Sequence, residues 1–320
     1  MPPSRVFATG SCVLATLVFA ACQPVTPATP TPSAPTSTTA SPSPTPSPSP
    51  TVDLTAPGAA RRMLDRLLTA AGPGKPIMVE VTAETAAVSV LASGSTEPVT
   101  WAYRDHRIQQ VDSDLQYVDQ ATFDLADFDL SDLGRLFRVA AALSDETTNQ
   151  TLQIVDYSGG RVMMAVSTNP ESRTVFFNPD GSLLPELDYH SASGIAAGLA
   201  DVLEGRVVAR QIGVDSETGA WADFAGPDDT TLRRQRPPKV PVTTVTRDDP
   251  PPLEPFSTSL VDAQVIWQVV QQTIRAADLD PETAWSVTIG DPEGTGEPRL
   301  LFQIGGESLT TDPTGRQVGS

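Results

Sequence analysis

Two stretches of this chain repeat each other at a fixed distance, and this constrains the fold more than any other feature. At a constant spacing of 135 residues, Ala142 falls on Ala277, Asp145 on Asp280, Thr148 on Thr283, Leu152 on Val287, Ile154 on Ile289 and Gly159 on Gly294. After one residue of slippage, Asn178-Pro179-Asp180-Gly181 falls on Asp312-Pro313-Thr314-Gly315. Turns of this kind have a mechanism: proline presets φ, Asn or Asp bonds back to the backbone, and glycine accepts a positive φ. Matching turns at matching places point to an internal duplication, which must be settled before any fold is assigned.

Periodicity extends the pattern to four helix-then-strands units. Ala60, Met63, Leu64, Leu67, Leu68 and Ala71 share one helical face in 59–71, and Gly72-Pro73 stops it. Alternating strands follow at Ile77–Thr82, Ala86–Leu91, Val99–Tyr103 and, through Asp105-His106, Ile108–Val111. A second helix, Leu133–Leu143, precedes strands at 152–157, 162–166 and 174–177. The third, Ile195–Glu204, with Ser191 or Ser193 as its cap, precedes strands near 207–212, 220–224 and 230–233. The fourth, Leu260–Ala277, precedes strands at 285–289, 299–304 and 308–311.

The expected fold is α+β: tandem repeats of one helix followed by an antiparallel three- to four-stranded sheet, with the helices packed on one sheet face. A single unit is too small to bury its own helix and sheet, so pairs share cores. Units one and two make a first domain over 57–188. Units three and four make a second over 189–320, with a Pro-rich insert at 236–255 and a hinge between the halves near Pro185–Ser191.

Before the folded part, residues 1–21 read as a cleavable export signal: one cation at Arg5, then an uncharged apolar stretch, Val6–Ala21, too short for a permanent span. Phe19-Ala20-Ala21-Cys22 resembles the bacterial lipobox, with Phe19 where leucine is usual. The resemblance implies that the Cys22 thiol carries diacylglycerol and becomes the mature N-terminus. Cys12 also follows small residues, but its upstream apolar run is too short. These are the only two cysteines, so a product cut before Cys22 has one thiol and no disulfide, and a lipid thioether removes that thiol. Two or more acyl chains give stable anchoring where one is marginal. Residues 22–56 form a Pro/Ser/Thr-rich tether with almost nothing to bury. At ~3.1 Å per residue it would hold the folded part up to roughly 100 Å from the membrane.

Formal net charge is −18, and residues 1–56 hold only Arg5 and Asp53, so the excess falls on the folded part. Such a surface repels phosphate backbones, which argues against a nucleic-acid partner.

Helix-plus-antiparallel-sheet units in an exported chain resemble PepSY-type and beta-lactamase-inhibitor-like modules. Tyr103-Arg104-Asp105, with Phe123-Asp124-Leu125 and Asp127, is similar to a pattern in actinobacterial secreted proteins. The resemblance implies an actinobacterial cell-envelope lipoprotein whose relatives bind or inhibit proteins. It carries over no catalytic residue.

Chemistry-bearing motifs are sparse. There is no G-x-S-x-G, S-x-x-K, H-E-x-x-H, Cys/His cluster or P-loop, and no cofactor is expected. His106 reads as an exposed turn residue and His190 as a helix-boundary residue. Asp124, Asp127, Asp129 and Asp132 form the one acidic patch to consider. Their order is not that of a calcium loop, and acids at this place complement the N-terminus of helix 133–143, with Asp129 or Ser131 as its cap. Arginines 233, 234 and 236 read as a solvated strand edge or an anion seat, and Trp101, Trp221, Trp267 and Trp285 as core packing.

The expected function is a lipid-anchored, extracytoplasmic, non-catalytic binding or regulatory module on the outer face of the cell membrane, acting on an envelope peptidase or other protein. A lipid or glycolipid carrier is the alternative, and a carboxylate-dependent hydrolase with two converging acids the third reading.

Overall fold

The computed structural model describes residues 52–112, 120–144, 146–169, 173–249 and 253–319, all within one compact unit. The expected export signal, Cys22, the expected tether up to Thr51 and Asp145 lie outside the described residues.

The chain opens with helix α1 (Ala59–Ala71), whose buried face is Ala60, Met63, Leu64 and Leu67. Gly72, at φ 80°, ends it and returns its N–H to Leu68 O. A meander follows: β1 (Lys75–Val81), β2 (Ala86–Leu91), β3 (Val99–Arg104) and β4 (Arg107–Val111). Asp105 and His106 both have positive φ, 51° and 61°, as a two-residue hairpin turn requires. Helix α2 (Leu133–Ser144) then leads into β5 (Thr151–Ser158), β6 (Arg161–Ser167) and β7 (Val175–Phe177).

The second half runs through the same order. Helix α3 (Ala192–Leu203) is capped by Ser191, whose Oγ accepts from Gly194 N–H at 3.0 Å. After the short β8 (Val208–Ala209) comes a four-stranded meander, β9 (Gln211–Asp215), β10 (Gly219–Ala225), β11 (Thr231–Arg236) and β12 (Thr243–Arg247). The two-residue β13 (Phe256–Ser257) pairs with β8. Helix α4 (Ala263–Ala276), capped by Asp262, precedes β14 (Trp285–Gly290), β15 (Arg299–Ile304) and β16 (Glu307–Thr311).

The expected three- to four-stranded sheets merge. There are two seven-stranded sheets of antiparallel neighbours, ordered β4-β3-β2-β1-β5-β6-β7 and β12-β11-β10-β9-β14-β15-β16. The first strand of each meander joins the first strand of the next, β1 to β5 and β9 to β14. Val79 faces Ile154 and Val81 faces Leu152 in one; Ile212 faces Ile289 and Val214 faces Val287 in the other. All eight side chains are buried under the helices. The physical reason is edge pairing: a three-stranded meander leaves a row of unpaired N–H and C=O groups that a neighbouring edge satisfies.

Each sheet has its own apolar cluster against its own helices. At ~1.5–3 kcal/mol per fully buried large aliphatic side chain, these clusters supply the main stabilisation in residues that contain no cysteine. The first cluster reaches into the expected tether: Leu54 is wholly buried and its N–H bonds Ala83 O at 2.8 Å. The folded part thus starts ahead of residue 57. Leu187 and Tyr189, placed at the expected hinge, belong to the second cluster.

The first part of the Pro-rich segment, residues 236–249, is held in place by Arg236. That side chain, fully buried, donates to Asp201 Oδ2 at 2.8 Å, Val240 O at 2.6 Å, Pro185 O at 2.7 Å and Pro237 O. Tyr189 Oη donates to Arg236 O at 2.6 Å. Strand β12 then pairs along β11, so arginines 233, 234 and 236 lie inside a sheet, not on the solvated edge expected of them.

The two x-Pro-x-Gly turns are built alike. Gly181 N–H bonds Asn178 O (2.9 Å) and Asn178 N–H bonds Ser182 O (2.8 Å); Gly315 N–H bonds Asp312 O (3.0 Å) and Asp312 N–H bonds Arg316 O (2.9 Å).

Candidate functional site

Alternation along each strand gives each sheet a helix-covered face and an open one. On the open face of the first sheet, the central positions of β2 and β3 are all small: Ala87 and Ser89 face Ala102 and Thr100. The Ser89 and Thr100 hydroxyls bond each other at 2.8 Å. Beside them β1 and β5 contribute Glu80 and Gln153, whose Nε2 donates to Glu80 Oε1 at 2.8 Å. The result is a groove of about 730 Å³ over the middle of the sheet, reaching Thr82 and Thr85 at one end, and Arg104, Asp112 and Asn169 at its rim.

The second sheet fills the equivalent places. Glu80, flanked by Val79 and Val81, corresponds in register to Gly213, flanked by Ile212 and Val214. Opposite Glu80 stands Ala87; opposite Gly213 stands Trp221, whose indole lies over the glycine. Where the first sheet has the Ser89–Thr100 hydroxyl pair, the second has Asp223 and Arg233, joined by two bonds of 2.7 and 2.8 Å. The Arg233 guanidinium stands 3.9 Å from the Trp221 ring centroid. Small side chains leave the centre of the first face hollow, and Trp221 and Arg233 cover the matching centre of the second.

The groove is rich in hydrogen-bonding groups. Its hydroxyls lie beside Glu80 and Gln153, Asp112 and Arg104 stand at the rim, and the described lining contains no histidine, lysine or cysteine. Such a lining can align a ligand rich in amides or hydroxyls.

The acidic patch is placed differently from the groove and is explained by local structure. Along 123–133, Phe123, Leu125, Phe128, Leu130 and Leu133 are buried in the first cluster, which leaves the acids between them on the outside. Asp124 Oδ1 accepts from Ala126 N–H at 2.8 Å, and Asp129 Oδ1 from Ser131 N–H at 3.0 Å. The Ser131 side-chain and backbone hydrogen bonds hold the Asp129 carboxyl below its ordinary range. Asp132, not Asp129 or Ser131, caps α2: its Oδ1 accepts from Arg135 N–H at 2.7 Å. Asp127 is exposed at the end of a single 3-10 turn, Leu125–Asp127. Among the described residues, no three His, Cys, Asp or Glu side chains are grouped to hold a metal ion.

Other candidates resolve individually. His106 is exposed in its hairpin turn, and His190 Nδ1 is 3.8 Å from Asp188 Oδ1. Trp285 is buried and Trp101 and Trp267 pack on the clusters, whereas Trp221 lies on the open face. Among the described residues no helix is long and apolar enough to cross a membrane.

Sequence reasoning missed the groove because small residues carry no motif. Its signal was there: Ala87, Ser89, Thr100 and Ala102 occupy every second position of two neighbouring strands.

No protein family matches this chain, and no curated protein matches it significantly, so function rests on the site.

Proposed function

We propose that the chain is a lipid-tethered, non-catalytic binding or regulatory module of the cell envelope, whose groove on the first sheet receives an extended segment of an envelope protein. The observation that carries this reading is the contrast between the centres of the two open faces: one hollow, with hydroxyls and amides among its lining, the other filled by Trp221 and Arg233. The volume falls in the range of about 300–1,000 Å³ common for ligand sites. The Ser, Thr, Gln and Asn groups of the lining can bond main-chain amides, while Met78, Val111 and the alanines supply apolar contact for side chains.

The scaffold is read as a duplicated helix-plus-sheet unit. Equal strand order, equivalent central pairs and matching x-Pro-x-Gly turns support this. The anchor is proposed at Cys22, on the strength of the lipobox resemblance and the tether behind it.

The test is site-specific photo-crosslinking in the native envelope with a reactive residue at position 167, on the groove lining. A discrete adduct with one envelope protein is expected, and Ala87→Trp, which fills the groove as Trp221 fills the other face, should abolish it. No adduct, or one indifferent to Ala87→Trp, overturns the reading. Acyl ligands in an organic extract of the protein would favour a carrier in its place.

A further inference from the structure

Where the two sheets meet, β5 touches β12: Thr244 N–H donates to Ser158 Oγ at 2.8 Å, and Gly159 lies against the Thr244 side chain. Beside this junction is a second cavity of about 420 Å³, separate from the groove. Its walls include the Gly159–Gly160 turn, Asn178, Arg161, Arg234 and Glu204.

The charge here runs against the rest of the molecule. In a chain of net charge −18, Arg161, Arg206 and Arg234 gather around a single carboxylate, Glu204. Arg234 is built in: its side chain is only 9% exposed, with Nε bonded to Val202 O at 2.9 Å, Nη2 to Asp201 O at 3.1 Å and Nη1 to Glu204 at 2.7 Å. Arg206 takes a second bond on the same Glu204 oxygen, at 3.2 Å. The Arg161 side chain, half-buried on the cavity wall, makes no hydrogen bond or ion pair among the described residues. Burial and then the neighbouring Arg206 and Arg161 work against the charge on Arg234, and Glu204 opposes them. An added anion would relieve that repulsion, and a planar guanidinium offers two parallel donors to an oxyanion.

We propose that this junction cavity binds an oxyanion, phosphate or carboxylate, carried on a small organic group, with Arg161 as the docking cation and Arg234 as the fixed one. Since its walls come from both sheets, the ligand would join the two halves.

Titration calorimetry on the purified full chain tests this with inorganic phosphate and with succinate, at fixed ionic strength. Submillimolar binding of at least one is expected, and the tighter of the two identifies the headgroup. Arg161→Gln should weaken it by about tenfold or more, the usual effect of removing one charge-assisted hydrogen bond, while leaving the melting temperature of the ligand-free protein unchanged. Glu204→Gln, which removes the competing carboxylate, should tighten it several-fold. The proposal is overturned if neither anion binds below ~10 mM, if Arg161→Gln binds at wild-type strength, or if Glu204→Gln binds more weakly.

Discussion

The Trp221 indole lies across the α-carbon of Gly213 so closely that a Cβ there would sit 2.2 Å from the ring. The Arg233 guanidinium also lies over the ring and is fixed by two bonds to the fully buried Asp223; Arg247 adds a third to the same carboxylate at 2.9 Å. Gly213, Trp221, Arg233 and Asp223 thus form one stack, and its lowest layer has no room for a methyl group. Gly213→Ala is expected to lift the indole and separate it from Arg233. Overpacking of this kind costs about 1–3 kcal/mol, and the cation–π interaction adds roughly 0.5–1 kcal/mol at a half-exposed site. A lower urea midpoint with altered tryptophan fluorescence is the expected result, and an unchanged midpoint would show that the stack yields freely.

Leu54 belongs to the first apolar cluster although a long run of Pro, Ser and Thr precedes it. Its neighbour Asp53 folds the segment back, with Oδ1 accepting from Thr55 N–H at 2.9 Å and Thr55 Oγ1 at 2.6 Å. Leu54→Ala should therefore behave as a core truncation, lowering stability by about 2–5 kcal/mol in chemical denaturation. A loss under ~0.5 kcal/mol, the usual size of an exposed substitution, would place Leu54 functionally in the tether.

The helices were legible because their signals are local. Residues 59–73 announce a face and a Gly-Pro stop within fifteen positions, and α1 spans Ala59–Ala71. The joining of two meanders was not legible: it pairs Val79 with Ile154, and alternation states which face a residue takes but not which strand lies beside it. Strand β12 was hidden for another reason. Its outward Val245 and threonines lie between prolines, and the buried Arg236, by gathering Pro237 O and Val240 O, helps to turn that segment back onto β11. The groove depends on what is missing from Ala87 and Ala102, which no spacing rule reports. Asp124, Asp127, Asp129 and Asp132 drew the eye by charge, yet three of them serve backbone N–H groups in the turns before α2.

Asp156 and Asp291, again 135 residues apart, hold the corresponding hairpins of the two sheets: each carboxylate accepts from a glycine N–H in its turn, Gly160 at 3.1 Å and Gly296 at 2.6 Å. Burial acts to raise the Asp291 carboxyl, but the backbone N–H groups of Gly296, Thr295, Gly294 and Glu293 outweigh it and hold it below the ordinary value of 3.8. A folded-state value beneath the unfolded one means that the ionised carboxylate favours the fold. That contribution is complete above about pH 4 and disappears as the pH falls through the folded value. Asp291→Asn should accordingly unfold at lower urea than the wild type at pH 7, with the gap closing progressively as the pH falls below about 4. Urea midpoints across that interval decide the matter, and a gap that stays constant down to about pH 2 would trace the destabilisation to turn geometry instead of to the carboxylate charge.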